Sequence, residues 1–207
     1  FLDGGLAGLI PHLFGPIVVN RKKNLLGVAL CNYRASEGYP APDPKNLVRS
    51  LFEAICDIAK DAQIEVQIFS LNGHPAVGDA SASLELHQML VNAGIDANVS
   101  FYRGDEPLKV VHQIGRCAAF VSARLHGAIV AYIQGVPVTI VDYHPKCRDF
   151  AEDVGLPMER RISSDNSSAR HLRSAISGML GGTGRPRVPP AEYCRRSVQI
   201  FRRGPWW

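Results

Sequence analysis

Short apolar runs alternate with longer amphipathic stretches along most of this chain, and that alternation sets the expected architecture. Residues 25–32, "LLGVALCN", read as a buried strand closed by the loop "YRASEGYPAPDP". Residues 45–62 place Leu47, Val48, Leu51, Ala54, Ile55, Ile58 and Ala59 at helical spacing. The run 64–71, "IEVQIFSL", is the second strand. Asp79 is placed to cap a helix that Gly94 closes. Residues 98–102 predict a third strand, and 105–117 a helix with Asp105 as its cap and Pro107 in its first turn. "AAFVSA" (118–123) is the fourth strand, a helix runs on to Gly135, and "VPVTIVDY" (136–143) is the fifth strand. Two more helices are expected, one over 146–155 ending at Gly155, the other over 167–182 capped by Asp165, Asn166 or Ser167.

Strands that alternate with helices imply an α/β fold with a Rossmann-like parallel sheet and helices on both faces. The strands are short and unbroken in their apolar character, as strands buried from both sides should be. Three segments follow from composition. Residues 1–23 contain Pro11 and Pro16, end on Arg21-Lys22-Lys23 and read as a connection; residues 24–182 form the domain; residues 183–207 form a linker and a basic aromatic tail. There is no internal repeat.

The remaining composition narrows the class. The chain has 207 residues, 46% of them hydrophobic and 20% charged, which suits one sizeable globular domain. No apolar run is long enough to span a bilayer, and no signal-peptide pattern is visible. The chain opens on Phe1 rather than Met, and the expectation is a soluble cytoplasmic fragment or an incomplete reading frame. The net charge of +4 is uneven: Arg185, Arg187, Arg195, Arg196, Arg202 and Arg203 face one acid, Glu192. That distribution describes a basic tail and argues against a nucleic-acid-binding face. Five separated cysteines, with no CxxC pair, exclude a zinc or redox motif and read as reduced thiols. No metal constellation appears.

Candidate chemistry sits at strand ends. Open parallel sheets bind ligands beyond the carboxyl ends of their strands. Arg124 and His126 follow the fourth strand at the head of a helix, whose N-terminus favours an anion. Gly127 would let a ligand approach the backbone. Tyr143, His144 and Lys146 follow the fifth strand. If those two strands pair, about 5 Å apart, the cations of both ends can converge. Each residue also has a plainer reading, as a solvated or salt-bridging arginine or a structural histidine. Arg34 follows the first strand and reads equally as an anion ligand or as a loop arginine beside Glu37. Asp79 reads as a helix cap before a base, and His74 as an exposed loop residue.

Taken together, "RLHG" (124–127), Gly135-Val136-Pro137, Tyr143, Lys146 and Gly155 resemble the polysaccharide pyruvyl transferases. His126 and Lys146 stand twenty positions apart, as the R-x-H-G and Y-x-x-K elements of that family do. The resemblance extends over residues 24–157 and includes "LLGVALCNYR", Asp79 and the stretch "YRGDEPLKVVHQIGRCAAFVSARLHG". It implies the C-terminal, donor-binding half of a GT-B-like fold, with an N-terminal domain absent from this chain closing the cleft.

The implied activity moves the pyruvyl group of phosphoenolpyruvate onto two hydroxyls of a cell-surface polysaccharide or its lipid-linked precursor. The chemistry wants cations for the donor's phosphate and carboxylate, an acid for its methylene carbon and a base for the attacking hydroxyls. On that reading His126 is the general acid and touches phosphate. Arg124 and Lys146 bind donor anions, Gly127, Arg34, His144 and Tyr143 line the site, and no cofactor is needed. Two alternatives stay open: a nucleotide-sugar-dependent GT-B glycosyltransferase and an inactive truncated fragment. The glutamate pair of retaining glycosyltransferases finds only a near match in Glu152 and Glu159. A dinucleotide-binding module lacks its GxGxxG after the first strand. Arginines interleaved with Tyr193, Ile200, Phe201, Trp206 and Trp207 suit either a peripheral contact with an anionic membrane or a loosely ordered, partner-binding terminus.

Overall fold

A computed structural model describes residues 7–15, 19–32, 42–74, 78–104, 106–163 and 166–203. Six strands form one fully parallel sheet: β1 (Leu25–Ala29), β2 (Glu65–Ser70), β3 (Asp96–Phe101), β4 (Ala119–Ser122), β5 (Val138–Val141) and β6 (Arg161–Ile162). Their order is β3-β2-β1-β4-β5-β6. The chain therefore winds outward in one direction to β3, returns to the middle at β4 and winds out the other way. That reversal beside β1 is the topological switch point at which such sheets bind ligands.

The period of two along each strand feeds two separate cores. Leu26 and Val28 of β1, with Val121 of β4, pack against α2 (Pro44–Ala59), α3 (Ala80–Asn92) and α7 (Ala169–Leu180). Ala29 and Phe120 face the other way, onto α4 (Pro107–Gly115), α5 (Leu125–Ile133) and α6 (Pro145–Asp153). Burial on both faces explains why these strands have no polar alternation. Helix punctuation follows the sequence at several points. Asp43 caps α2 by accepting from the Asn46 N–H at 2.9 Å. Gly94, Gly135 and Gly155 close helices at φ of 76°, 68° and 63°, a backbone region other residues resist.

Several expectations need correction. The sheet has a sixth strand, β6, two residues long and too short to leave a periodic signal. The cap of α7 is Ser168 rather than one of the three residues before it, of which Asp165 lies outside the described residues. A cap at Asp105 also lies outside them, and α4 starts after Glu106.

Of the expected tail, the described residues, which run to Arg203, pack on the domain. Residues Pro190–Arg203 form α8, and the linker before it is tied down by Arg187 N–H to Gly155 O at 3.2 Å and Val188 N–H to Val154 O at 3.0 Å. Tyr132 of α5 donates its hydroxyl to Val188 O at 2.6 Å. Tyr193 then sets its ring edge-on to Tyr132 and Phe150, with centroids 5.5 and 6.0 Å away. A short helix, α1 (Ile10–Phe14), packs near α8, and Ser197 lies against Gly8. Trp206 and Trp207 lie outside the described residues. Among the described residues no helix is long and apolar enough to cross a membrane.

Candidate active site

The turn from β4 into α5 is built by Ser122. Its hydroxyl donates to Arg124 O at 2.7 Å and accepts the Arg124 N–H at 3.2 Å, folding the chain back on itself within two residues. Arg124 thereby becomes the N-cap of α5 in an extended conformation, and His126 stands exposed at its second helical position. The first-turn N–H groups of α5 have no preceding carbonyls to bond, and they carry roughly half a positive charge.

Gly127 serves this turn differently from the expectation. A Cβ there would lie 2.8 Å from Ser122 Oγ and 3.0 Å from Leu71 Cδ1. The missing side chain lets the helix close onto β2 and β4, so the space beside it holds protein and not a ligand.

Arg124 is not a free cation. Its Nε donates to both carboxylate oxygens of Asp79, at 3.1 and 2.9 Å, and its Nη2 also donates to Oδ1. Asp79 is wholly buried, while the Arg124 side chain keeps 23% of its exposure. The expected helix cap at Asp79 is therefore corrected: it stands at the N-cap position of α3, but its side chain makes no capping bond. The carboxylate accepts instead from Arg124 and from the Asn72 N–H at 3.0 Å, while the Asp79 N–H donates to Asn72 O, also at 3.0 Å. Burial works against the Arg124 charge, and the hydrogen-bonded carboxylate more than offsets it, so the pKa of Arg124 is raised.

Beneath the pair lies Cys31 at the end of β1. Burial pushes its thiol up to about 11 against the opposing pull of Arg124. Tyr143, arriving from the end of β5, shares a hydrogen bond with this thiol, and burial raises its own pKa. Asp79, Arg124, Cys31 and Tyr143 thus form one cluster under the switch point.

Above it opens a cleft of about 720 Å³ over the ends of β2, β3 and β4, with Asn72, Gly73, Tyr102, Arg103, Arg124 and His126 in its walls. Arg124 and His126 both stand in its wall. β4 and β5 do pair, yet Lys146 and His144 are not in the lining. The reason is lateral: the cleft extends from β4 toward β3, whereas β5 lies on the other side of β4. His144 has a local task, its Nδ1 accepting the Lys146 N–H at 3.2 Å as the cap of α6. Lys146 is exposed at the first turn of that helix. Arg34 lies outside the described residues. His74 is exposed at the loop, and His87 bonds to Ala97 O of β3 at 3.1 Å. Among the described residues no group of three or more His, Cys, Asp or Glu side chains could hold a metal ion.

Sequence reasoning missed the Asp79–Arg124 pair and the wall at the end of β3. The pair had one available signal, since Asp79 and the "RLHG" segment both carried the family resemblance. Tyr102 and Arg103 opened a stretch that carried the family resemblance, but nothing in the sequence turned that into a wall of the cleft, and Phe101 read only as a strand residue.

Among solved structures, the chain is similar to the UDP-GlcNAc 2-epimerase of Methanocaldococcus jannaschii. The TM-score is 0.54 at 15% identity, covering 94% of this chain and 49% of that one. The same enzyme in complex with UDP-GlcNAc and UDP gives 0.52 at 16% identity, covering 98% and 53%. At such identities the likeness shows the fold alone, a Rossmann-like unit of the GT-B type, and the chain spans about half the length of these proteins. No individually curated protein matches the chain significantly. The family model of the polysaccharide pyruvyl transferases matches residues 27–145, which run from β1 through the cleft to the start of α6 and make up more than half of the sequence, so the chain belongs to the polysaccharide pyruvyl transferase family.

Proposed function

We propose that this chain supplies the donor-binding part of an enzyme that transfers the pyruvyl group of phosphoenolpyruvate to two hydroxyls of a sugar, forming a cyclic ketal. The observation that carries this reading is the meeting of Arg124 and His126, at the head of α5, in the wall of one cleft of a protein of this family. His126 protonates the methylene carbon as the central carbon becomes oxocarbenium-like. One sugar oxygen bonds to that carbon, the bond to the phosphate oxygen breaks, and the second sugar oxygen closes the ketal. Of the two hydroxyl protons, one ends on the new methyl group and the other on inorganic phosphate. The chemistry so written uses no cofactor.

Arg124, held from behind by Asp79, offers its remaining N–H groups to the donor's anionic end. Lys146 lies one strand further along, outside the lining of this cleft, so the donor's second anionic group falls to the first-turn N–H groups of α5. A second, N-terminal domain closes the cleft and carries the rest of the acceptor site. The GT-B-type fold also fits a nucleotide-sugar-dependent glycosyltransferase, and one experiment separates the two. Calorimetric titration should show phosphoenolpyruvate binding to the chain, weakened about tenfold or more in Arg124→Gln. Binding of a UDP-sugar with no response to phosphoenolpyruvate would overturn the pyruvyl reading. Turnover of His126→Gln, assayed as acceptor-dependent phosphate release with the second domain present, should fall by at least about a hundredfold.

A further inference from the structure

The cleft is much larger than the proposed donor. Phosphoenolpyruvate is a small molecule, whereas cavities of roughly 300–1,000 Å³ are those that enclose drug-sized ligands. At about 720 Å³ the cleft has room for a second, bulkier occupant beside Arg124 and His126. The wall farthest along the sheet from those two residues is the carboxyl end of β3, where Phe101, Tyr102 and Arg103 follow one another. Phe101 keeps 47% of its surface exposed. The same three residues also bound a second depression of about 180 Å³, whose far side carries Lys109 and Gln113. They form a ridge between a larger and a smaller cavity.

The ridge is held in place by its backbone. Tyr102 N–H donates to Ser70 O at 3.0 Å, and its carbonyl lies so close to Gly73 that a Cβ there would stand 3.2 Å from it. The surface is therefore aromatic, fixed and flanked by hydrogen-bonding groups: Asn72 on one side, Gln113 on the other, and Arg103 between. A pyranose has the matching chemistry, with one face of C–H groups and a rim of hydroxyls. Aromatic area satisfies the face, and the planar donor fork of an arginine satisfies neighbouring hydroxyl oxygens.

We infer that Phe101, Tyr102 and Arg103 form an acceptor subsite for a glycan of two or more units, one sugar lying in the main cleft and the next across the ridge in the smaller depression. This rests on the pyruvyl-transfer reading for the identity of its ligand as an acceptor. The recognition itself depends only on the ridge.

Saturation-transfer NMR on the chain, with methyl glycosides and β-linked disaccharides of glucose, galactose, mannose, N-acetylglucosamine and N-acetylmannosamine, tests it. At least one disaccharide should bind more tightly than its monosaccharide. Its affinity should fall roughly tenfold in Phe101→Ala, the size of one lost aromatic contact. Arg103→Ala, whose side chain is exposed and does not threaten folding, should weaken the disaccharide in the same direction. Phosphoenolpyruvate affinity, measured by calorimetry, should stay within about twofold in both variants. Phosphoenolpyruvate binding without any panel sugar, or sugar binding indifferent to both variants, would overturn the subsite and leave the pyruvyl reading standing. Ridge-dependent sugar binding with no phosphoenolpyruvate binding would support the subsite and remove the donor assignment. Contacts to the uridine of UDP-GlcNAc across the ridge, with none to glycosides, would replace the glycan by a nucleotide.

Discussion

The Asp79–Arg124 pair makes an asymmetric prediction. Replacing Arg124 by Met leaves a carboxylate that has no solvent exposure, with the Asn72 N–H as its remaining described donor. Breaking a buried ion pair from one side costs about 3–5 kcal/mol, because the surviving charge is stranded. Replacing Asp79 by Asn strands the opposite partner, but the Arg124 side chain keeps 23% exposure and can turn toward water. Asn also retains an oxygen for the Asn72 N–H. Its cost should be nearer that of one charged hydrogen bond, about 1.5–3 kcal/mol.

Urea unfolding at pH 7, followed by circular dichroism, resolves the difference. With a slope of about 2 kcal/mol/M, Arg124→Met should lower the midpoint by roughly 1.5–2.5 M and Asp79→Asn by roughly 0.7–1.5 M. The double variant, in which neither charge is stranded, should cost less than the sum by about 1–3 kcal/mol. If Asp79→Asn were the costlier change, or if the two effects simply added, the pair would not be the buried, mutually dependent unit described above.

Other changes test other parts of the fold. Gly127→Ala should lower stability by about 1–2 kcal/mol despite alanine's better helix propensity, because its methyl meets Ser122 Oγ and Leu71; thermal melting would reveal it. Tyr193→Ala should cost about 2 kcal/mol in urea through loss of its edge-on contacts with Tyr132 and Phe150; a neutral effect would mean that α8 is not docked. Stability should also decline at alkaline pH. Burial raises the thiol of Cys31 to about 11 and those of Cys117 and Cys147 to about 12, from an ordinary 9.0. Native thiols then stay protonated where unfolded ones ionise, so their contribution is whole below pH 9 and is lost as pH rises through 11–12. Melting temperature should hold to about pH 9 and fall beyond it, and alkylation of the native protein should reach the half-buried Cys56 and Cys194 before the other three.

How much could be read from the sequence depended on the range of the forces involved. Strands β1, β4 and β5 announced themselves because burial on both faces makes each a local apolar run, and β2 did so through the alternation of its first half. β6 did not, since two residues have no period and its place is fixed by Asp142 N–H donating to Ile162 O. α8 was obscured by its arginines, which stay in solvent, while its contact with the domain passes through Tyr193 and the small pair Gly8 and Ser197, to which hydropathy is blind. At the site, adjacency of β4 and β5 was legible, but the side of β4 on which the cleft opens was not. That depends on how the ends of β2 and β3 sit beside β4, which strand order sets and no local pattern reveals.

The pair also changes what Arg124 contributes. With the Asp79 carboxylate locked against it, the two side chains together carry no net charge, so Arg124 supplies direction more than attraction. Its Nε and one amino group are committed, and the donors that remain are fixed in orientation. Net attraction for an anion must then come from the N-terminus of α5 and from its neighbour His126. The acid that balances Arg124 comes from 45 positions upstream, at the far end of the loop that begins at Asn72. One carboxylate therefore joins the loop after β2 to the head of α5. Both are walls of the same cleft, and the spacing between them is set by a buried contact rather than by the loop itself.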